Sequence, residues 1–226
     1  RVAQSIQEHL LPDKPPVLPG FDIAGASQPA EFAAGDHYDY LDMSDGSLGL
    51  VIGDVSGHGV GPAILMASLC ARLRSLAETD LQIDGILART NLALTNEVEE
   101  SLFITAILAR LDTTSRSLTY INAGHPPGYV IDRSGDVKAL MERTGLPLGI
   151  LPDAEFPIGP SIELEQGDTV ILFTDGAFEA HSPGEDFFGM DRVIEVVRQN
   201  RDESASDAIR LVRQAVCEFN GGEHSL

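Results

Sequence analysis

Hydrophobic and polar positions along this chain follow two rhythms, and the changes between them mark out the elements. Residues 1–11 place apolar side chains at Val2, Ala3, Ile6, Leu10 and Leu11, the spacing of a helix with one apolar face. Pro12 stops that helix, and Pro15, Pro16 and Pro19 make a stiff connector. Residues 1–19 therefore read as a linker or switch element ahead of a domain spanning 20–226. Beyond the connector the rhythm is that of strands: Phe21–Ser27, His37–Met43 and Leu48–Gly53, with Asp45-Gly46 as a turn. Helical spacing returns over Pro62–Leu76 and Ile83–Val98. Leu102–Asp112, Ser117–Asn122, Gly128–Asp132 and Val137–Leu140 then read as strands, the last two joined through Ser134-Gly135-Asp136. Strands that follow one another without helices between them pair antiparallel, because a parallel pair needs a long crossover. Thr144–Pro160 holds four prolines and three glycines and reads as a long functional or covering loop. Thr169–Thr174 is a further strand, and Met190–Arg198 and Ala205–Phe219 are closing helices. No internal repeat is visible. The pattern predicts one α+β domain built on antiparallel sheets.

Composition changes this picture little. Hydrophobic residues are 43% and charged residues 22% of the 226, ordinary globular usage. A chain of this length buries roughly 70% of the surface its unfolded form exposes, enough for a real core. Charge narrows the partners. With 15 Lys and Arg against 35 Asp and Glu, the net charge is −20. Such a field repels nucleic acid and anionic membranes and draws divalent cations to any point where carboxylates converge. Cys70 and Cys217 each lie in a helical stretch and read as buried free thiols, with no sign of an oxidising compartment. No apolar run approaches the ~18 residues of a membrane span, and no signal peptide opens the chain. The expectation is a cytoplasmic chain that inserts into no membrane. Opening at Arg1, it reads as part of a longer protein.

Two strands end alike. Gly49-Leu50-Val51-Ile52-Gly53 runs into Asp54, and Val170-Ile171-Leu172-Phe173-Thr174 runs into Asp175, with glycine close behind each aspartate. A carboxylate where a buried strand emerges is rigidly held and partly desolvated, which suits a hard cation. Asp36 precedes another strand, with Asp39 three residues on. Taken singly, each aspartate also fits an Asx-turn or helix N-cap. Together they weigh towards a site, because the chain has no Gly-x-Ser-x-Gly elbow, no His-Glu-x-x-His, no zinc-spaced cysteine pair and no Walker loop. Carboxylate ligation without cysteine or clustered histidine favours Mg²⁺ or Mn²⁺, as one ion or two. His58 is a candidate general acid, against a solvent-facing turn histidine as the alternative. His125 reads as a hydrogen-bonded residue fixing a strand-end corner, and Ser56 as turn chemistry. Arg72 and Arg74 read as a solvated helix face.

The same residues resemble the PPM-type metal-dependent protein phosphatases, in their SpoIIE/RsbU-like bacterial branch. The motifs run in order: Gln7-Glu8-His9-Leu10-Leu11-Pro12, Gly35-Asp36-His37-Tyr38-Asp39-Tyr40, Gly53-Asp54-Val55-Ser56-Gly57-His58-Gly59, Phe103-Ile104-Thr105-Ala106, Asn122-Ala123-Gly124-His125-Pro126-Pro127, Gly145-Leu146-Pro147-Leu148-Gly149 and Phe173-Thr174-Asp175-Gly176-Ala177-Phe178-Glu179-Ala180. The resemblance implies two antiparallel sheets packed as a sandwich, flanked by helices on both outer faces. It implies two Mn²⁺ or Mg²⁺ ions at one end of that sandwich. Asp54 matches the carboxylate shared by both ions and the Val55 backbone carbonyl a further ligand. Asp36 and Asp175 match carboxylates on one ion each, and Asp39 an auxiliary ligand or neighbour of one. The implied reaction is attack of metal-activated water on phosphoserine or phosphothreonine, without a phosphoenzyme. Two departures stand out. Ala34 replaces a usual glycine, and the chain ends at Gly221-Gly222-Glu223-His224-Ser225-Leu226, where the family goes on to a strand with another aspartate ligand. The expectation is a domain stopping short of its last strand, with one of the two ions weakly held.

By resemblance, the substrate is a phosphorylated anti-anti-sigma-type regulatory protein. The N-terminal helix joins an upstream sensor or receiver domain and pairs two copies as a homodimer. A competing reading is a phosphatase-fold domain, weak or inactive in catalysis, that binds phosphoprotein as a signalling module. A nucleotide phosphodiesterase is a third, with no nucleotide loop to support it.

Overall fold

The computed structural model describes residues 10–27, 35–57, 59–96, 102–182, 184 and 186–221. In chain order the elements are β1 (His37–Asp42), β2 (Leu48–Val55), α1 (Val60–Ala77), α2 (Ile83–Leu94), β3 (Ile104–Asp112), β4 (Ser117–Ala123), β5 (Gly128–Ile131), β6 (Val137–Met141), β7 (Ile162–Glu163), β8 (Thr169–Ile171), α3 (Met190–Gln199) and α4 (Ala205–Phe219). The strands form a large sheet of order β1-β2-β3-β4-β7 and a small one of order β6-β5-β8. Every ladder between them is antiparallel.

The period-2 alternation of the strands sorts their side chains into layers. From β2, Leu48, Leu50 and Ile52 point to a core shared with Ile107, Ala109 and Leu111 of β3, Tyr120 of β4, and Val130 and Met141 of the small sheet. The alternate residues Val51 and Val55 join Ile104, Ala106 and Leu108 under Leu65, Met66, Leu69 and Leu73 of α1 and Ile83, Ile86 and Leu87 of α2. On the far side, Tyr129, Ile131 and Ile171 meet Val193, Ile194 and Val197 of α3 and Val212 and Val216 of α4. Three apolar cores thus separate four layers, helix–sheet–sheet–helix, as the resemblance implied. Each fully buried Leu or Ile in them contributes about 1.5–3 kcal/mol.

α1 shows how the sequence sets an element. Pro62 lies in its first turn, where the missing N–H has no intrahelical partner to lose. Buried residues then recur at Leu65, Met66, Leu69, Cys70, Leu73 and Ala77, one face of a 3.6-residue helix. Contrary to the sequence reading, these 18 residues are long and apolar enough to cross a membrane. Their buried face belongs to the core instead. Burial pushes the Cys70 thiol up to about 12, whereas Cys217 is only half-buried.

Four expectations need correction. Phe21–Ser27 is not a ladder strand: it contributes one bridge, Leu18 to Phe21. Side chains hold it instead, because Gly25 lies against the Tyr38 ring and its carbonyl accepts the Tyr38 hydroxyl at 3.0 Å. Asp22 likewise accepts the Ala205 N–H at the start of α4 at 2.7 Å. β2 continues past Gly53 and includes Asp54 and Val55. β8 stops at Ile171, three residues before Thr174. The two-residue β7, beyond the Thr144–Pro160 loop in a stretch assigned no element, closes the other edge of the large sheet. The predicted N-terminal helix falls outside the described residues except at its end, Leu10 and Leu11.

Candidate metal centre

Asp54 occupies the last inward position of the β2 face that carries Leu48, Leu50 and Ile52, so it emerges from the seam between the sheets. Its cross-strand partner is Thr105 on β3. Asp36 is the residue before β1, brought alongside because the Gly35 carbonyl accepts the Val55 N–H at 3.3 Å. The small sheet delivers the third carboxylate: after β8 the chain reaches Asp175, first residue of a 3-10 turn over Asp175–Ala177. One carboxylate oxygen from each of Asp36, Asp54 and Asp175 lies within 4.8 Å of the others. Among the described residues, no other group of three His, Cys, Asp or Glu side chains converges in this way.

The electrostatics of the cluster are those of a site built for cations. Burial pushes the Asp36 carboxyl up to about 6, the Asp175 charge adds to this, and a Thr174 hydrogen bond opposes it. Asp54 is pushed up to about 7 by burial and then by Asp36 and Asp175, against a hydrogen bond from the Val55 backbone. Three converging carboxyls, two of them raised by burial and by one another, offer the oxygen donors that suit one or two hard divalent ions. The backbone leaves room for them. A Cβ at Gly35 would overlap both Asp54 Oδ1 and the Val55 carbonyl oxygen, so only glycine fits, and that carbonyl faces the same recess as the carboxylate. Gly57, at φ +87°, then turns the chain out of β2. Ser56 continues the ladder instead of making a local turn contact: its N–H donates to Phe103 O and its Oγ accepts the Phe103 N–H, both at 2.9 Å.

Asp39 does not join the cluster. Alternation places His37, Asp39 and Leu41 on the β1 face towards α1, where the Asp39 carboxylate accepts Arg74 Nε at 2.7 Å and the Tyr40 N–H at 2.9 Å. Burial pushes its carboxyl up, but His37, Arg74 and the Tyr40 N–H together hold it below the usual carboxylate range. Arg74 is accordingly no solvated bystander, since it also donates Nη2 to the Leu10 carbonyl at 2.6 Å. His58 lies outside the described residues. His125 is a corner residue, as expected, but with a longer reach. Buried between the sheets, it meets Thr105 Oγ1 through Nδ1 at 2.8 Å and the Phe173 carbonyl through Nε2 at 2.9 Å. Burial pushes its pKa down to about 4, despite the Phe173 carbonyl and the Asp175 charge, so the ring is neutral near pH 7. Thr174, the crowding at Gly35 and the Arg74–Asp39 pair escaped the sequence reading. Only Thr174, adjacent to Asp175, carried a positional signal.

A helix–sheet–sheet–helix sandwich with a carboxylate cluster at the end of its seam is the PP2C-type architecture. The solved PP2C phosphatase domain with a regulatory-domain fragment of SpoIIE from Bacillus subtilis superposes with a TM-score of 0.72 at 20% identity, over 88% of this chain and 58% of that one. Sequence narrows the class further. Residues 44–225 match the Stage II sporulation protein E (SpoIIE) family, and the chain belongs to it. It is 29% identical to the phosphoserine phosphatase RsbU of Bacillus subtilis over 211 residues, which are 93% of this chain and 62% of RsbU. It is also similar to the solved RsbU and RsbW domains of Rv1364c from Mycobacterium tuberculosis, at 30% identity and a TM-score of 0.65, covering 81% of this chain and 52% of that one. The chain thus spans less than two thirds of these relatives.

Proposed function

We propose that the chain is a Mg²⁺- or Mn²⁺-dependent protein phosphatase that hydrolyses phosphoserine or phosphothreonine on a regulatory protein. The observation that supports this most is the convergence of Asp36, Asp54 and Asp175 from two sheets, one carboxylate oxygen of each within 4.8 Å of the others. Asp54, pushed up by burial and then by both neighbours, would be the carboxylate shared between two ions. Asp36 and Asp175 would hold one each, with the Val55 carbonyl as a further donor. When bound, such ions supply Lewis acidity that lowers the pKa of water and offsets phosphoryl charge. The chain's own groups prepare the site. Thr174 steadies Asp36, Gly35 keeps the recess open, and cation binding would favour the ionised forms of Asp36 and Asp54 that burial disfavours. Three carboxylates do not neutralise two divalent ions, and Asp175 is the exposed one, so the ion on Asp175 is the weaker. The cations also reverse the local sign of a surface that would otherwise repel a phosphate dianion.

The name of RsbU and the motif resemblance support an anti-anti-sigma-type phosphoprotein as substrate. Residues 1–19 would connect residues 20–226 to an upstream sensor or receiver domain. The test is hydrolysis of a phosphoserine protein with Mn²⁺ and with chelator, on the chain and on Asp54→Asn. Mn²⁺-dependent release of phosphate that Asp54→Asn abolishes is the expected result. A chain that binds Mn²⁺ and phosphoprotein but releases no phosphate would instead be a binding module.

A further inference from the structure

We propose that His125 is a positioning residue that sets the separation of Asp54 and Asp175 by stitching the two sheets together at the cation end. This rests on the reading of the three aspartates as a cation site. The Phe173 carbonyl can only accept, so Nε2 carries the proton, and Nδ1 then accepts from the Thr105 hydroxyl. One neutral tautomer satisfies both contacts. Their positions give them meaning. Thr105 is the cross-strand partner of Asp54 on the large sheet, and Phe173 stands two residues ahead of Asp175 on the chain leaving the small one. The imidazole therefore spans from the neighbour of one carboxylate to the neighbour of the other. Its own backbone is fixed by Asn122, whose Oδ1 accepts the His125 N–H at 2.8 Å. The same Asn122, fully buried, donates Nδ2 to the Met141 carbonyl at 2.9 Å, a second link from β4 to the small sheet.

The need for such a stitch is electrostatic. Three carboxylates within 4.8 Å repel, and the cheapest relief is for Asp175 to swing outward, because it is exposed and follows a three-residue strand that, among the described residues, pairs with β5 alone. The apolar core between the sheets is non-directional and does not oppose a small shear. Directional hydrogen bonds from a buried ring do.

The test is a Mn²⁺ titration of the purified chain without substrate, by calorimetry or by electron paramagnetic resonance. His125→Leu is expected to weaken Mn²⁺ binding about 10–100-fold, the scale for groups that orient metal ligands. Thr105→Val, which removes one contact, should give a smaller loss. His125→Gln, whose amide reaches as far as Nε2, should recover part of the affinity. In an Asp175→Asn background, His125→Leu should add nothing, because its effect runs through Asp175. The proposal is overturned if His125→Leu folds and binds Mn²⁺ as the parent does, or if its loss is the same with and without Asp175. If His125→Leu does not fold, parent-like Mn²⁺ affinity in Thr105→Val overturns it. A parent chain that binds Mn²⁺ but hydrolyses no phosphoserine removes the phosphatase reading and leaves this one standing. A parent that binds no Mn²⁺ removes both.

Discussion

The large and small sheets supply the same residue type to the same cluster but hold it very differently. On the large sheet, β2 is paired through Gly53 with β1 and through Val55 with β3, and the Gly35 carbonyl is tied to Val55 beside Asp36. On the small sheet, β8 is three residues long, lies at the edge, and is half-buried throughout. Asp36 and Asp54 are thus preorganised, whereas Asp175 sits on a short, exposed arm. Where charge must be gathered against its own repulsion, the rigid half fixes the place and the adjustable half sets the affinity.

The sharpest way to break this contrast is to neutralise each side in turn. Asp54→Asn should lower Mn²⁺-dependent phosphatase activity by about 100-fold or more and abolish coupled binding of two ions. Asp175→Asn should keep one ion and lose the other, read as stoichiometry in a Mn²⁺ titration. Equal losses from both variants would make the two halves equivalent. Next in size, Mg²⁺ or Mn²⁺ at 100 times its dissociation constant should stabilise the parent by about 2.7 kcal/mol in urea unfolding, and Asp54→Asn should forfeit most of that.

The pH dependence gives a related test. Carboxyls pushed up from 3.8 to about 6 and 7 bind protons more tightly in the folded state. These two carboxyls should therefore make the cation-free chain less stable as pH rises from about 4 towards 7, because the folded state carries their extra protons, and His125, held down at about 4, offsets part of that fall. Saturating Mg²⁺ should flatten that fall, and a metal-free profile that rises over the same window would contradict it. Smaller again, Arg74→Met should cost about 1–2 kcal/mol by leaving Asp39 buried without its partner, less than a fully buried pair because Arg74 is 43% exposed. Mn²⁺ affinity should not change, which separates Asp39 from the cluster. The smallest effect belongs to the far layer: Ser204 caps α4 by accepting the Asp207 N–H at 3.1 Å, so Ser204→Ala should cost about 1 kcal/mol with activity intact.

Much of this was legible in the chain. Alternation in His37–Met43 and helical spacing in Pro62–Leu76 recovered β1 and α1 to within a residue or two, because their burial is one-sided and the pattern records it, and the nearly continuous apolar run of Leu102–Asp112 recovered β3, which is buried on both faces. The pairing of the two strand-end aspartates was legible too, from the repeated motif of apolar run, aspartate and glycine. Phe21–Ser27 misled because an apolar, extended segment looks the same whether a ladder or a tyrosine hydroxyl takes its carbonyl. Asp39 misled for another reason. Three residues from Asp36 in sequence, it belongs by parity with Leu41, facing a helix whose Arg74 lies 35 positions away. The reach of His125 was hidden likewise, since both its partners are remote in the chain.

Gly35 has a use at the bench. A single methyl group there would overlap Asp54 Oδ1 and the Val55 carbonyl oxygen, so that one or both must shift and the recess is disturbed from within. If the proposed phosphatase activity holds, Gly35→Ala is the natural bait: a chain expected to meet a phosphorylated protein without releasing its phosphate, so that the protein can be recovered with its phosphate on and identified.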